Sequence, residues 1–164
     1  RTWSLTGTAQ NRRILDSIIA SIAEFSEKKA WNLDLDVTPP IELCRKHVEE
    51  FARNNTILFD AGSAHLANSS FAIMDQLAES VEECPDAIVH VEGHTDSDGE
   101  ENLNLALSVA RAEAVVSELV DRGVLADRLY AIGYGESLPI ASNDTRKGKA
   151  ENRRIVFTII ETHE

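Results

Sequence analysis

The sequence lacks any long uncharged apolar run and is poor in basic residues. A spanning helix needs about 20 predominantly apolar residues, so we expect no membrane-spanning segment in this chain. Lys and Arg number 16 against 28 Asp and Glu, which gives a formal net charge of −12 at pH 7. Because phosphate neutralisation requires clustered basic side chains, this balance argues against a nucleic-acid partner. The hydrophobic content of 43% still suffices for a folded core.

Cysteine is scarce as well, since Cys44 and Cys84 are the only two in the sequence. A metal site at these residues is not expected. Taken alone, the pair is compatible either with two buried thiols or with one disulfide.

The first 37 residues are predicted to form a strand, a helix and a second strand. Trp31–Val37 alternates strictly between apolar and polar residues, which is typical of a half-buried strand. A shorter alternation begins at Trp3. Between the two strands, apolar residues recur at helical spacing, at Ile14, Ile18, Ile22 and Phe25.

Two adjacent prolines, Pro39 and Pro40, mark the predicted boundary between two domains. Neither can donate a hydrogen bond to a strand ladder, and each restricts the residue before it. We therefore expect a small unit in residues 1–40 and a larger domain in residues 41–164. The sequence begins with Arg1 rather than Met, so we also expect that a signal peptide, a membrane anchor or a further domain precedes it.

Beyond this boundary, helical and strand periodicity alternate along the chain. Cys44, Val48 and Phe51 fall at helical spacing, and a second helix is predicted from the stripe that begins at Phe71. A third is predicted over about 102–122, with apolar positions Leu105, Val109, Ala112, Val116 and Leu119 and with Gly123 as its C-cap. Strands are predicted over residues 56–59, 88–92, 129–132 and 154–160. This pattern favours an α+β fold, a two-layer α/β sandwich with helices on one face of the sheet.

The longest predicted helix also carries a row of polar residues. Asn104, Ser108 and Arg111 are spaced by four and then three, so they share one face. Asp96 lies in the loop that leads into this helix, and we expect it to lie with Arg111 beside one cleft. One anion and one guanidinium suit a zwitterionic ligand, whose ammonium and carboxylate they would bind. The alternative is that Asp96 and Arg111 simply pair with each other or cap the backbone.

Several ordered motifs in this region resemble those of the OmpA-like C-terminal domain family. They are Gly93-His94-Thr95-Asp96-Ser97-Asp98-Gly99, Asn104, Leu107-Ser108, Arg111-Ala112, Gly133-Tyr134-Gly135-Glu136, Pro139, Asn143 and Asn152-Arg153-Arg154. The resemblance extends over about residues 55–160. It implies a βαβαβ-type domain with a mixed sheet, preceded here by the small strand-helix-strand unit.

The resemblance implies non-covalent binding of peptidoglycan through the diaminopimelate of the stem peptide. The family's binding Asp and Arg match Asp96 and Arg111 in this sequence. Supporting roles around the pocket are implied for Thr95, Asn104 and Leu107, with Arg154 near its edge. The additional acidic residues Asp98, Glu100 and Glu101 depart from the family's pattern and put the strength of binding in doubt.

The N-terminal unit has a fainter resemblance to a BON module, a small envelope domain, although a bland packing subdomain fits it about as well. Together the resemblances imply a periplasmic or cell-envelope location. That compartment is oxidising, so under this interpretation Cys44 and Cys84 form a disulfide.

Two other classes of function compete with this hypothesis. A metal-dependent hydrolase would use His94, Asp96 and Asp98, whose alternate spacing can place ligands on one side of an extended segment. Nucleophilic catalysis has no supporting motif. The second competing class is an envelope scaffold that keeps the fold but has lost ligand binding. The favoured interpretation is a non-enzymatic domain that needs no cofactor.

Overall fold

The computed structural model describes residues 3–9, 12–25, 31–37, 40–84 and 86–161. The chain divides into two compact units, Arg1–Leu43 and Cys44–Glu164. The assignment of residues 1–40 and 41–164 to two functional domains stays a prediction, and Pro39 lies outside the described residues. Within the described part, no helix is long and apolar enough to cross a membrane.

The N-terminal unit contains the predicted strand, helix and strand. Strands β1 (Trp3–Ala9) and β2 (Trp31–Val37) pair in parallel, with α1 (Arg12–Phe25) between them in the chain. The predicted apolar stripe of α1 is partly wrong, because Ile14 is 40% exposed and Leu15 is the buried residue. The prediction that one face of β2 is buried concerns side chains outside the described set.

The larger unit contains a three-stranded mixed sheet, as expected for the α+β class. Its elements are α2 (Pro40–Asn54), α3 (Phe71–Glu82), β3 (Ala87–His94), α4 (Glu101–Asp121), β4 (Leu129–Gly135), α5 (Arg146–Asn152) and β5 (Arg154–Glu161). The strand order is β4-β3-β5, in which β3 is parallel to β4 and antiparallel to β5. Helix α4 packs on β3 and β4, and α3 packs on α4. The strand predictions for 88–92, 129–132 and 154–160 are confirmed within a few residues.

The strand predicted over residues 56–59 is not formed. Only an isolated bridge between Phe59 and Leu66 is present. The backbone of Leu58 is satisfied in another way, because its N–H donates to Ser70 Oγ at 2.8 Å and its carbonyl accepts from Ser70 Oγ and from the Ala67 N–H. The hydroxyl of Ser70 thus takes the place of a neighbouring strand.

Helix α4 approaches the sheet closely because glycines face it. A Cβ atom built on Gly93 of β3 would lie 2.1 Å from the Ser108 carbonyl oxygen, and one on Gly133 of β4 would lie 2.6 Å from the Val109 nitrogen. The predicted stripe of α4 is also partly wrong, since Leu105 is 46% exposed. The helix ends at Asp121 with Arg122 as its C-cap, and Gly123, which was predicted as the C-cap, follows directly with a φ of +101°.

The two cysteines of the chain are joined. Cys44 of α2 and Cys84, just beyond α3, form a disulfide with a Cα–Cα distance of 5.7 Å, within the usual range. Both are almost fully buried, at 1% and 5% exposure. The predicted disulfide is therefore confirmed, and it ties α2 to the end of α3.

Candidate functional site

The loop that leaves β3 holds a buried carboxylate. The side chain of Asp96 is 10% exposed, and its Oδ2 accepts a 2.6 Å hydrogen bond from Arg153 Nη1. Its Oδ1 accepts from the Asp98 N–H at 3.0 Å, which closes a local turn. Burial raises the pKa of Asp96, but these two hydrogen bonds and the charges of Arg153 and Lys149 together bring the pKa below its ordinary value. Asp96 is therefore an oriented anion at neutral pH.

Asn104, in the first turn of α4, fixes the conformation of this loop. Its Nδ2 lies 3.3 Å from the Asp96 carbonyl, 3.1 Å from the Asp98 carbonyl and 2.6 Å from Glu136 Oε2. The side chain is only 7% exposed. Asn104 thus bonds the loop backbone and has Glu136 as a further partner, while its supporting role around the pocket stays a prediction.

Arg111 lies two turns further along α4, on the same buried face as Asn104 and Ser108. Its Nε donates to the Ser63 carbonyl at 2.9 Å, and its guanidinium carbon lies 5.0 Å from the centre of the Phe59 ring. Burial lowers the pKa of Arg111, as does the charge of Arg153, while Asp96 raises it. Asp96 and Arg111 make no ion pair with each other in the described residues, so that part of the predicted alternative is wrong. Its other part holds, because Asp96 accepts from the Asp98 N–H and Arg111 donates to the Ser63 carbonyl.

Arg154 and His94 face each other across the ladder between β3 and β5. Arg154 donates to the carbonyls of Leu138 and Asn152 at 3.0 and 3.2 Å. His94 is 3% exposed and stacks on Tyr134 with ring centres 5.2 Å apart. Burial and then the charge of Arg154 lower the pKa of His94 to about 4, so the imidazole is neutral at pH 7. Neither of its ring nitrogens has a hydrogen-bond partner.

Asn152 organises the loop on the other side of the site. It is fully buried, and its Oδ1 accepts from the N–H groups of Ile140 and Ala141 at 2.8 and 3.0 Å. Its Nδ2 donates to the Ala141 carbonyl and to Asn143 Oδ1, both at 2.9 Å. Because Asn152 directly precedes Arg153 and Arg154, these bonds position both arginines.

A cleft of about 880 Å³ opens beside these residues. Its lining includes His94, Arg111, Arg153 and Arg154, together with Phe59. Asp96 is not part of the lining, although its partner Arg153 is. The Asp96 carboxylate therefore adjoins the cleft through Arg153, whereas Arg111 itself lines the cleft.

The other predicted site residues lie nearby but differ in position. Thr95 is 5% exposed, its N–H donates to the Gly135 carbonyl at 2.9 Å, and its hydroxyl has no partner. Leu107 is half-buried on α4 and does not line the cleft. Arg153 was not among the predicted site residues. The Asn-Arg-Arg motif pointed to this position, but it could not distinguish which of the two arginines contacts Asp96.

In the described part of the chain, no three His, Cys, Asp or Glu side chains are grouped so that they could hold a metal ion. His94 stacks on Tyr134, Asp96 is bound by Arg153, and Asp98 Oδ1 accepts from Lys149 Nζ at 2.7 Å. The three residues of the hydrolase hypothesis thus each contact a different partner and do not form a metal-ligating group.

Known proteins similar to this chain include one named as a peptidoglycan-binding protein and one named as a probable lipoprotein. Peptidoglycan-binding protein ArfA of Mycobacterium tuberculosis is 40% identical over 168 residues, which covers 96% of this chain and 51% of ArfA. Probable lipoprotein YiaD of Escherichia coli is 42% identical over 105 residues, which covers 64% of this chain and 48% of YiaD. The chain thus spans about half the length of these curated relatives.

The fold is shared with solved structures. The peptidoglycan-associated lipoprotein from Burkholderia pseudomallei is 30% identical, with a TM-score of 0.57 over 64% of this chain and 87% of that one. A model described as the OmpA family matches residues 58–153. The resemblance inferred from the motifs is therefore confirmed for the larger unit, whereas the BON resemblance of the N-terminal unit stays a prediction. Because the family model covers more than half of its length, the chain belongs to the OmpA family.

Proposed function

We propose that this domain binds peptidoglycan non-covalently, by holding the diaminopimelate of the stem peptide, and so anchors the cell envelope to the cell wall. The observation that carries the proposal is the state of Arg111. Arg111 is 9% exposed, lines the cleft and has no carboxylate partner in the described residues. A buried cation without a counter-ion is costly, and a ligand carboxylate would compensate it with charge-assisted hydrogen bonds.

Diaminopimelate presents the complementary groups on one carbon. Its side chain ends in a carboxylate and an ammonium, which suit Arg111 and Asp96 respectively. The ammonium shares the Asp96 carboxylate with Arg153, since each carboxylate oxygen can accept more than one hydrogen bond. Thr95, whose buried hydroxyl is unpartnered, supplies a further polar contact, and Asn104, Leu107 and Arg154 have supporting roles.

The same proposal places the protein in the periplasm or cell envelope, tethered to a membrane by another region. It carries no catalytic step and no cofactor. The small N-terminal unit has a BON-like role in envelope contact. The relatives named as a peptidoglycan-binding protein and as a probable lipoprotein support this placement.

One observation favours a second candidate, a scaffold that has lost ligand binding. Arg153 already occupies Asp96 Oδ2 at 2.6 Å, so the anion is compensated before any ligand arrives. Under this alternative, Arg153 replaces the ligand's ammonium.

Co-sedimentation of the chain with insoluble peptidoglycan tests the proposal. We expect wild type to pellet with diaminopimelate-type material but not with lysine-type material, whose side chain has the ammonium and lacks the carboxylate. Asp96→Ala and Arg111→Ala should each weaken binding at least about tenfold, because a charge-assisted bond is lost. Arg122→Ala, just beyond α4 and outside the cleft, is the matched control and should bind as wild type. Circular dichroism verifies folding, and a wild type that stays in the supernatant would favour the scaffold.

A further inference from the structure

The cleft is basic although the protein is strongly acidic. Its lining contains five basic side chains, Arg53, Arg111, Lys147, Arg153 and Arg154, and two acidic ones, Glu49 and Glu151. The whole chain has a formal net charge of −12. A locally positive concave surface on an acidic protein concentrates anionic ligands. With one carboxylate bound at Arg111, Arg53 and Arg154 are the basic side chains of the lining that have no carboxylate partner in the described residues.

Like Arg111, Arg154 lines the cleft and contacts no carboxylate in the described residues. Its Nη1 and Nη2 donate to two backbone carbonyls, of Asn152 and Leu138, and no ion pair joins it to an acidic side chain in the described residues. By contrast, Arg153 is paired with Asp96, and Lys147 lies 4.0 Å from Glu151. A guanidinium has five N–H donors, so Arg154 retains donors for a ligand.

Arg154 also lies next to the site that Asp96 and Arg111 form. It is the cross-strand partner of His94, which precedes Asp96 by two residues. Directly opposed residues on neighbouring strands have Cβ atoms about 4.5–5.5 Å apart. His94 is buried without a hydrogen-bond partner and is neutral at pH 7, so it adds no positive charge that would repel Arg154. Glu92 is the acidic group whose charge acts on Arg154, and it raises the pKa of Arg154, whereas burial lowers it.

We propose that Arg154 forms a second carboxylate subsite, so that the domain selects stem peptides with two free carboxylates and discriminates against amidated ones. The inference rests on the proposed function, in which the first carboxylate binds Arg111. The second belongs either to the glutamyl residue that precedes diaminopimelate or to the main-chain carboxyl end of the peptide. An amide in its place has no charge and presents an N–H₂ donor to a guanidinium that can only donate.

Three soluble probes test this subsite by isothermal titration calorimetry on the whole chain. They are the tripeptide alanyl-γ-glutamyl-diaminopimelate as the free acid, the same peptide amidated at the glutamyl α-carboxylate, and the same peptide amidated at the main-chain carboxylate of diaminopimelate. We expect one of the two amidations to weaken wild-type binding about tenfold. The position that weakens binding identifies the carboxylate.

Variants assign the discrimination to a residue. Arg154→Ala should weaken binding of the free-acid peptide about tenfold. It should leave unchanged the binding of the amidated peptide that wild type binds more weakly. Arg154→Lys keeps the charge without the planar fork and should discriminate less than wild type. The exposed Arg53, which lines the same cleft, is the matched control, and Arg53→Ala should discriminate as wild type.

The possible failures are distinguishable. If wild type binds all three peptides within twofold, the second subsite is wrong and the proposed function stands. If wild type binds none of them, both proposals fail. If Arg154→Ala weakens binding of all three equally, or if folded Arg154 variants still discriminate, Arg154 has a purely structural role and the subsite is overturned.

Discussion

Arg153 Nη1 lies 2.6 Å from Asp96 Oδ2 and joins the residue before β5 to the loop after β3. The bond connects two segments that are 57 residues apart in the sequence. It orients the Asp96 carboxylate in the absence of a ligand, so a ligand ammonium meets a fixed acceptor. Such pre-organisation lowers the entropic cost of binding.

The stability contributed by this pair should depend on pH. The folded protein holds the pKa of Asp96 below its ordinary 3.8, so the pair stabilises above pH 3.8 and the contribution is lost as the pH falls through the lower folded pKa. Because Arg153 is 46% exposed, Arg153→Ala should cost only about 0.5–1 kcal/mol at pH 7. Urea unfolding from pH 2 to pH 7 measures this difference. Arg146→Ala, at the exposed first position of α5, is the control, and a difference that persists at pH 2 would contradict the assignment.

His94 should make the stability of the protein depend on pH between 4 and 6.5 as well. The pKa of His94 is about 4 in the folded protein and 6.5 ordinarily. Between pH 4 and pH 6.5, His94 is therefore protonated in the unfolded chain and neutral in the folded one. Stability therefore falls as the pH drops from 6.5 to 4, by up to about 3 kcal/mol. His94→Phe retains an aromatic ring against Tyr134 and should flatten this part of the profile.

The control for His94 is His65→Phe, since His65 is exposed. Denaturant midpoints at half-unit pH steps compare the three proteins. A His94→Phe profile as steep as that of wild type between pH 4 and 6.5 would show that another group controls the acid response.

Hydrophobic periodicity predicted most of the fold because most elements bury an apolar face. It missed α5, whose sequence Arg-Lys-Gly-Lys-Ala-Glu-Asn has no apolar stripe. That helix depends on local capping, in which Thr145 Oγ1 accepts from the Gly148 N–H at 2.9 Å. Periodicity also placed Leu105 in the buried stripe of α4, although Leu105 is exposed. The first turn of α4 instead buries the polar side chain of Asn104, which bonds the preceding loop.

The site was predictable as a group of residue types but not as a set of contacts. The spacing of Asn104, Ser108 and Arg111 placed them correctly on one buried face. The partner of Asp96 was not predictable, because Arg153 and Arg154 are adjacent arginines of one motif, at the junction of α5 and β5, and both line the cleft. Only the register that pairs His94 with Arg154 determines which arginine reaches the loop.

The disulfide should contribute to stability and not to binding. Cys44 and Cys84 enclose a loop of 40 residues, and closing a loop of that length contributes about 4 kcal/mol in the chain-entropy model. The double variant Cys44→Ser/Cys84→Ser should therefore unfold at markedly lower urea concentration, while its affinity for the stem peptide stays within about twofold of wild type. Neither cysteine lines the cleft. Unfolding of wild type with and without reductant is the parallel measurement, and unchanged midpoints would contradict the prediction.

Close approach of α4 to β3 should be as important for the site as the charged residues themselves. Gly93→Ala would put a methyl group 2.1 Å from the Ser108 carbonyl oxygen, so α4 must move away from the sheet. Overpacking of this kind costs about 1–3 kcal/mol. The same movement displaces Asn104 and Arg111 from the loop that holds Asp96, so ligand affinity should fall even in the folded fraction. Gly7→Ala, where a Cβ meets nothing within 4 Å, is the control, and a folded Gly93→Ala protein with wild-type affinity would show that the site tolerates this displacement.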